Sequence, residues 1–254
     1  MWNPVRAARL ARLPHPDPEI HNVGPDTRGG RGAAHLALLR HWGLTADDAL
    51  FEIGCGVGRL AYEVAHFLSP RGRYAGIDIS PDAIAWLDAN YARRVSNFRF
   101  DLIDARNPLH RPDASTTADT IRFPHPDATF DFACAFAVFM HMQIPEIENY
   151  LRELRRVVRP GARTFVTFMA ISPHHDAPHY NGRDYVPVAP GVYSLFPDEV
   201  GRSLAYDDVL IREMIAAAGL ELVDSFEGWW HGAQTRPRSG GPASGADAYI
   251  LRAP

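Results

Sequence analysis

The chain has 254 residues, 46% of them hydrophobic, which is enough to bury a full core in one domain with a cap. Its net charge of −4 and pI near 6.3 argue against a protein whose main partner is a nucleic-acid backbone. Two cysteines, Cys55 and Cys134, exclude a disulfide framework, and no run of eighteen apolar residues or apolar N-terminal signal segment is present, so a soluble cytoplasmic protein without a membrane partner is expected.

Residues 1 to about 30 are rich in Pro, Arg and Gly, and a first helix is predicted from Gly32 to Trp42, ended by Gly43. Ala49 to Ile53 is a short apolar run, long enough for a buried strand. Gly54, Gly56 and Gly58 then open a turn, and Leu60, Ala61, Val64, Ala65 and Leu68 repeat at helical spacing. A second strand, Tyr74 to Ile79, carries Asp78 at its end, and Ser80-Pro81 caps and starts a helix to about Arg94. FRFDLID reads as a third strand ending at Asp104. The polar, proline-bearing stretch from Arg106 to Asp127 is too long for an ordinary connection and reads as a surface excursion.

Phe130 to Phe136 is apolar on both faces, as a central parallel strand requires. Pro145 begins a helix whose Ile147, Leu151, Leu154 and Val158 share a face, with Pro160-Gly161 as its stop and Arg163 to Ala170 as the fifth strand. Strands alternating with helices predict an α/β, doubly wound, mostly parallel sheet with helices on both faces. Residues 171 to 204 break the rhythm and are the best segment for a substrate cover, with a plain surface loop as the alternative. A helix from about Ala205 to Ala218 follows, then strands near Leu220 to Phe226 and Asp247 to Leu251, joined through the loop RPRSGGPASGA.

A strand running through glycines into a helix brings backbone N–H groups and a positive helix end to a ligand. Asp78, twenty-four residues after Gly54, stands where a carboxylate can accept both hydroxyls of a ribose. The spacing disfavours a dinucleotide, whose third glycine would fall where Arg59 stands, and Glu52 is poorly placed against a pyrophosphate. The pattern E-x-G-x-G-x-G with the strand-two aspartate resembles the class I S-adenosylmethionine-dependent methyltransferases. The resemblance covers Ala49 to Ile171, with weaker similarity in the final strands. RFPHPDATFDFACAFAVFMHM and YLRELRRVVRPGARTFVTF are similar to the strand-four and strand-five signatures of the small-molecule branch.

The resemblance implies a Rossmann-like seven-stranded domain over 46–254, with residues 1–45 as an N-terminal cap and 171–204 as an inserted cover. It implies S-adenosyl-L-methionine as cofactor, held by Glu52, Gly54, Cys55, Gly56, Gly58, Asp78, Ile79, Asp104, Ala105 and Ala135. Within that set Asp104 would take the adenine amino group, the Ala105 N–H a ring nitrogen, and the backbone at Ala135 would underlie the methionyl part. The Arg106 to Thr120 stretch is longer than the family link, and RPGA replaces its proline-glycine-glycine turn.

His141, just past strand four, is the residue expected to handle a proton, because methyl transfer to a hydroxyl needs an aligned acceptor and a base. Its alternative is a histidine that packs in the connection. His174, His175 and His179 keep no recognised ligand spacing, so no metal is expected. The expected acceptor-side residues are His21 (with Asn22), His179, Tyr180, Tyr185, Trp229 and Trp230; the adjacent tryptophans would point to opposite faces.

Absences narrow the acceptor by the same resemblance. Ala135-Phe136-Ala137-Val138 replaces the N/D-P-P-Y/F/W segment of base methyltransferases, and there are no paired glutamates for a guanidinium and no Asp-Asp-Asn set for a metal. The implied reaction is transfer to a small-molecule hydroxyl, with a nitrogen or carbon acceptor, or a catalytically idle S-adenosylmethionine-binding protein, as alternatives. An aminopropyl transferase would want acidic residues at strand four. The oligomeric state is open.

Overall fold

In the computed structural model the described residues are 10–16, 20, 30–172, 179, 180, 182–199, 201–228, 230 and 245–254. After a helix α1 (Gly30–His41), the first half alternates β1 (Ala49–Ile53), α2 (Arg59–Phe67), β2 (Arg73–Asp78), α3 (Pro81–Leu87) and β3 (Phe98–Leu102). The second half holds β4 (Phe130–Ala135), α4 (Ile144–Val157), β5 (Val158–Phe168), α5 (Asp208–Ala217), β6 (Glu221–Phe226) and β7 (Asp247–Arg252). These seven strands form one sheet in the order β6-β7-β5-β4-β1-β2-β3. Strands β1 to β5 pair in parallel, while β7 runs antiparallel to both β5 and β6.

Two apolar layers cover the sheet because side chains along a strand alternate faces. Leu50 joins Leu38, Leu60, Val64 and Leu87 on the side of α1, α2 and α3. Phe51 and Ile53 join Ile147, Leu151, Leu154, Ile211 and Ile215 on the side of α4 and α5. On α4, Ile147, Leu151, Leu154 and Val157 are fully buried, each contributing about 1.5–3 kcal/mol over exposure. α4 opens on Pro145 and on Glu146, whose Oε2 accepts the Gln143 N–H at 2.7 Å.

The order reverses between β1 and β4, and in open α/β sheets a ligand crevice opens at the carboxyl ends of such strands. Two expectations about elements change. Pro160-Gly161 lies inside β5, where the β4 pairing shifts register between Phe130 and Phe132, so these residues form a bulge after α4 has ended at Val157. Ala205 and Tyr206 belong to a strand, Leu204–Asp207, and the helix starts only at Asp208. That strand pairs with Val192–Ser194 and, in parallel, with Ala170–Ile171, so the segment after β5 builds a four-stranded sheet of its own. Helical periodicity could not reveal that long-range pairing.

Candidate active site

The glycine turn after β1 is fixed by β2. Gly54 N–H and Cys55 N–H both donate to the Ile77 carbonyl, at 2.8 and 3.0 Å, and Gly56 N–H donates to Asp78 Oδ2 at 2.7 Å. Gly54, Gly56 and Gly58 all have positive φ, and a Cβ on Gly54 would lie 2.4 Å from Val138 Cγ2. Gly58 starts α2 without a side-chain cap, at the end of the helix that carries the positive pole of its dipole. Asp78 is nearly buried, and its Oδ1 accepts the Ser80 N–H at 2.8 Å. Each carboxylate oxygen keeps a further lone pair for a ligand.

Glu52 is buried against the Tyr74 hydroxyl, which donates to its Oε2. Burial pushes the Glu52 carboxyl up to about 8, against the opposing pull of that hydrogen bond and with help from the negative Asp78. The group therefore holds its proton near neutrality unless a cation approaches. A ligand with an ammonium and a carboxylate fits this end: the buried carboxyl suits the first and the uncapped helix start suits the second.

At the end of β3 the structure departs from expectation. Asp104 does not line the cavity. Its carboxylate accepts from Arg111 Nη2 at 2.9 Å, from the Ser115 hydroxyl and from the Ser115 N–H at 3.3 Å. Hydrogen bonding, led by the Ser115 hydroxyl, holds its carboxyl below the usual carboxylate range. Arg111 also donates to the carbonyls of Ile79 and Ile103, at 3.1 and 2.9 Å. The carboxylate thus ties the long excursion to the ends of β2 and β3, while Ala105 beside it faces the cavity.

Past β4, Ala137 takes a left-handed φ of 55° that costs a non-glycine residue energy. Its N–H donates to Thr167 Oγ1 at 2.9 Å, and that hydroxyl donates to the Ala135 carbonyl at 3.3 Å, so β5 holds the turn in place. Ala135 itself lies behind the wall, and Phe136, Ala137 and Val138 line it. A one-turn 3₁₀ helix, Phe139–His141, then places His141 on the cavity. Burial pushes the His141 imidazole below its ordinary value, with hydrogen bonding to the Gly201 carbonyl opposing and the nearby His110 adding to the depression.

One cavity of about 680 Å³ connects these parts. Glu52, Gly54, Cys55, Gly56, Asp78, Ile79, Ala105 and His141 line it, together with Tyr180 and Trp230. Gly58, Ala135 and Asp104 do not, and neither does Tyr185, which is buried behind Trp230 and hydrogen-bonds Ser203 Oγ at 2.7 Å. His21, Trp229, His174 and His175, and the side chain of His179, lie outside the described residues.

Sequence reasoning missed Asn107, His110, Met140, Glu146, Tyr150 and Met169 on the wall. Glu146 and Tyr150 share one face of α4 at i, i+4 spacing, a signal that could have found them. Among the described residues no group of three or more His, Cys, Asp or Glu could hold a metal ion, and no helix is long and apolar enough to cross a membrane.

Residues 51–166 match the family model described as a methyltransferase domain, over the same strands that build the glycine turn and the His141 turn. Over that stretch the chain is similar to methyltransferases. Among curated relatives, the sterol 4-C-methyltransferase of Caenorhabditis elegans is 24% identical over 184 residues, covering 69% of this chain and 50% of the relative. The chain spans about half the length of the curated relatives it matches.

Solved structures share the methyltransferase fold at low identity. The 1,6-didemethyltoxoflavin-N1-methyltransferase of Burkholderia thailandensis, solved with 1,6-didemethyltoxoflavin and S-adenosylhomocysteine bound, superposes with a TM-score of 0.54 at 16% identity, covering 98% of this chain and 86% of that one. The cyclase SpnF reaches 0.55 at 19% identity over 99% and 92% of the two chains. The fold alone therefore does not name a reaction.

Proposed function

We propose that this chain transfers a methyl group from S-adenosylmethionine to a hydroxyl of a small-molecule acceptor. The observation that carries the reading is the continuity of one cavity from the glycine turn and Asp78 to His141. Asp78 would accept the ribose hydroxyls, Glu52 would sit beside the ammonium, and the uncapped start of α2 would face the carboxylate. Ile79 and Ala105 would border the adenine. When bound, S-adenosylmethionine supplies a sulfonium methyl group that passes to the acceptor oxygen while the C–S electron pair stays on sulfur.

His141 would take the hydroxyl proton, which its depressed pKa suits by keeping the ring neutral at neutral pH. Residues 1–45 act in this reading as a cap over the glycine turn and 171–204 as the acceptor cover. Met140, Met169, Tyr180 and Trp230 give the acceptor end a sulfur and aromatic wall, which favours an acceptor with an apolar body.

A carbon acceptor is the second reading, favoured by the sterol 4-C-methyltransferase among the relatives. Release of S-adenosylhomocysteine over a panel of hydroxyl-bearing metabolites tests the proposal, with NMR of the product locating the new methyl group. A methyl on oxygen supports it; a methyl on carbon transfers the case to the second reading; no release with any acceptor, despite cofactor binding, favours an idle binding protein.

A further inference from the structure

His141 is held by two segments that lie outside the seven-stranded sheet. Its ring Nδ1 is 3.1 Å from the carbonyl oxygen of Gly201, in the segment after β5. A carbonyl oxygen only accepts, so Nδ1 carries the proton and, in the neutral ring, Nε2 carries the lone pair. The Arg202 backbone also hydrogen-bonds the ring and, like Gly201, favours its charged form. The residue lies on the cavity wall.

Gly201 has a φ of 79°, and a Cβ there would sit 3.2 Å from the His141 carbonyl oxygen, so the contact needs a glycine on two counts. From the other side, the buried Asn107 donates Nδ2–H to that same carbonyl at 2.9 Å. Asn107 Oδ1 accepts the N–H groups of Leu109 and His110, each at 3.0 Å. The His110 ring is thereby set edge-on to His141 at 5.1 Å. Beneath the turn, the Tyr206 hydroxyl donates to the carbonyls of Phe139, at 3.2 Å, and Met142.

We propose that Gly201 and Asn107 are positioning residues that make His141 a base of one tautomer, its Nδ1–H spent on the cover and its Nε2 aimed at the acceptor's hydroxyl proton. This rests on the O-methylation reading above. The acceptor O–H bond breaks, its proton bonds to Nε2, and its electron pair stays on oxygen to form the bond to the incoming methyl carbon. The imidazolium keeps Nδ1–H on the Gly201 carbonyl, which favours the charged form, and later returns the proton from Nε2 to water.

The test is the ring tautomer, read on the full chain with ¹⁵N-labelled histidine by long-range ¹H–¹⁵N correlation. His141 is assigned by the signal lost in His141→Gln. Above its titration range the ring is expected to be protonated at Nδ1 and bare at Nε2. Gly201→Ala and Asn107→Ala should each lose that single tautomer. With the acceptor found in the product screen, each should also lower the single-turnover rate about 10- to 100-fold, the scale of a small misplacement. S-adenosylhomocysteine affinity should be unchanged in both.

A wild-type ring protonated at Nε2, or variants that keep tautomer and rate, would overturn the proposal. Should a variant fail to fold, the wild-type tautomer still decides. An inactive His141→Ala enzyme together with a wild-type Nε2–H ring removes the positioning role alone, whereas a fully active His141→Ala enzyme removes the O-methylation reading itself.

Discussion

The glycine-turn end of the cavity and the His141 end are held in place by different parts of the chain. At the first, the hydrogen bonds that hold the turn come from a neighbouring strand: β1 leads into the turn, and β2 gives the Ile77 carbonyl and the Asp78 carboxylate that fix it. At the second, β4 supplies only the take-off point. Thr167 of β5 holds the turn, Asn107 reaches in from the excursion, and Gly201 reaches in from beyond β5. The glycine-turn geometry is thus built into the sheet, whereas the geometry around His141 depends on packed segments outside it. Damage at one end should read out in affinity and stability, and damage at the other in turnover.

The largest expected effect falls at the second end. His141→Ala should lower single-turnover rate by about 10²–10⁴-fold, the usual contribution of a placed base. Cofactor affinity and melting temperature should hardly move. A rate loss that tracks a fall in melting temperature would erase the contrast between the two ends. The remaining wild-type acid limb should have its midpoint below the ordinary histidine value of 6.5, because burial depresses the imidazole. Rate should rise with pH through that midpoint and level off above it, and a profile in His141→Ala should lack the limb.

Asp78→Ala should act oppositely, weakening S-adenosylhomocysteine binding by about 1–3 kcal/mol in calorimetry. The Gly56 and Ser80 N–H groups also lose their acceptor, so this variant should melt lower than wild type. Unchanged affinity would remove Asp78 from the cofactor site.

The subtlest effect belongs to Glu52. The folded protein holds its proton up to about pH 8, whereas an unfolded chain releases it near 4.5. Its contribution to the stability of the ligand-free protein is therefore complete below the lower value and is lost as pH rises through the upper one. Glu52→Gln should flatten that decline in melting temperature. Binding of a ligand ammonium beside Glu52 should release a proton at neutral pH, visible as a dependence of calorimetric heat on buffer ionisation enthalpy; equal heats in all buffers would place the ammonium elsewhere.

The same contrast governs what the sequence disclosed. The strand, glycines, helix and Asp78 lie within one local stretch, where periodicity and turn chemistry speak directly, and the sheet follows from repeating that unit. The Asp104 carboxylate was unreadable because its partners, Arg111 and Ser115, sit in a segment without periodicity. Ala205 and Tyr206 look helical in isolation and become a strand only through pairing with Ala170 and Val192 to Ser194. Likewise Asn107 and Gly201 meet His141 across 34 and 60 residues, distances at which no spacing rule operates. Glu146 and Tyr150, by contrast, were within reach of a helical-face argument.

The most direct test of the account is calorimetric titration of the full chain with S-adenosylmethionine, S-adenosylhomocysteine and NAD. The account predicts that both sulfur ligands bind one site more tightly than NAD. Tighter binding of NAD than of either would contradict it, since the Glu52 to Gly58 turn would then serve a pyrophosphate.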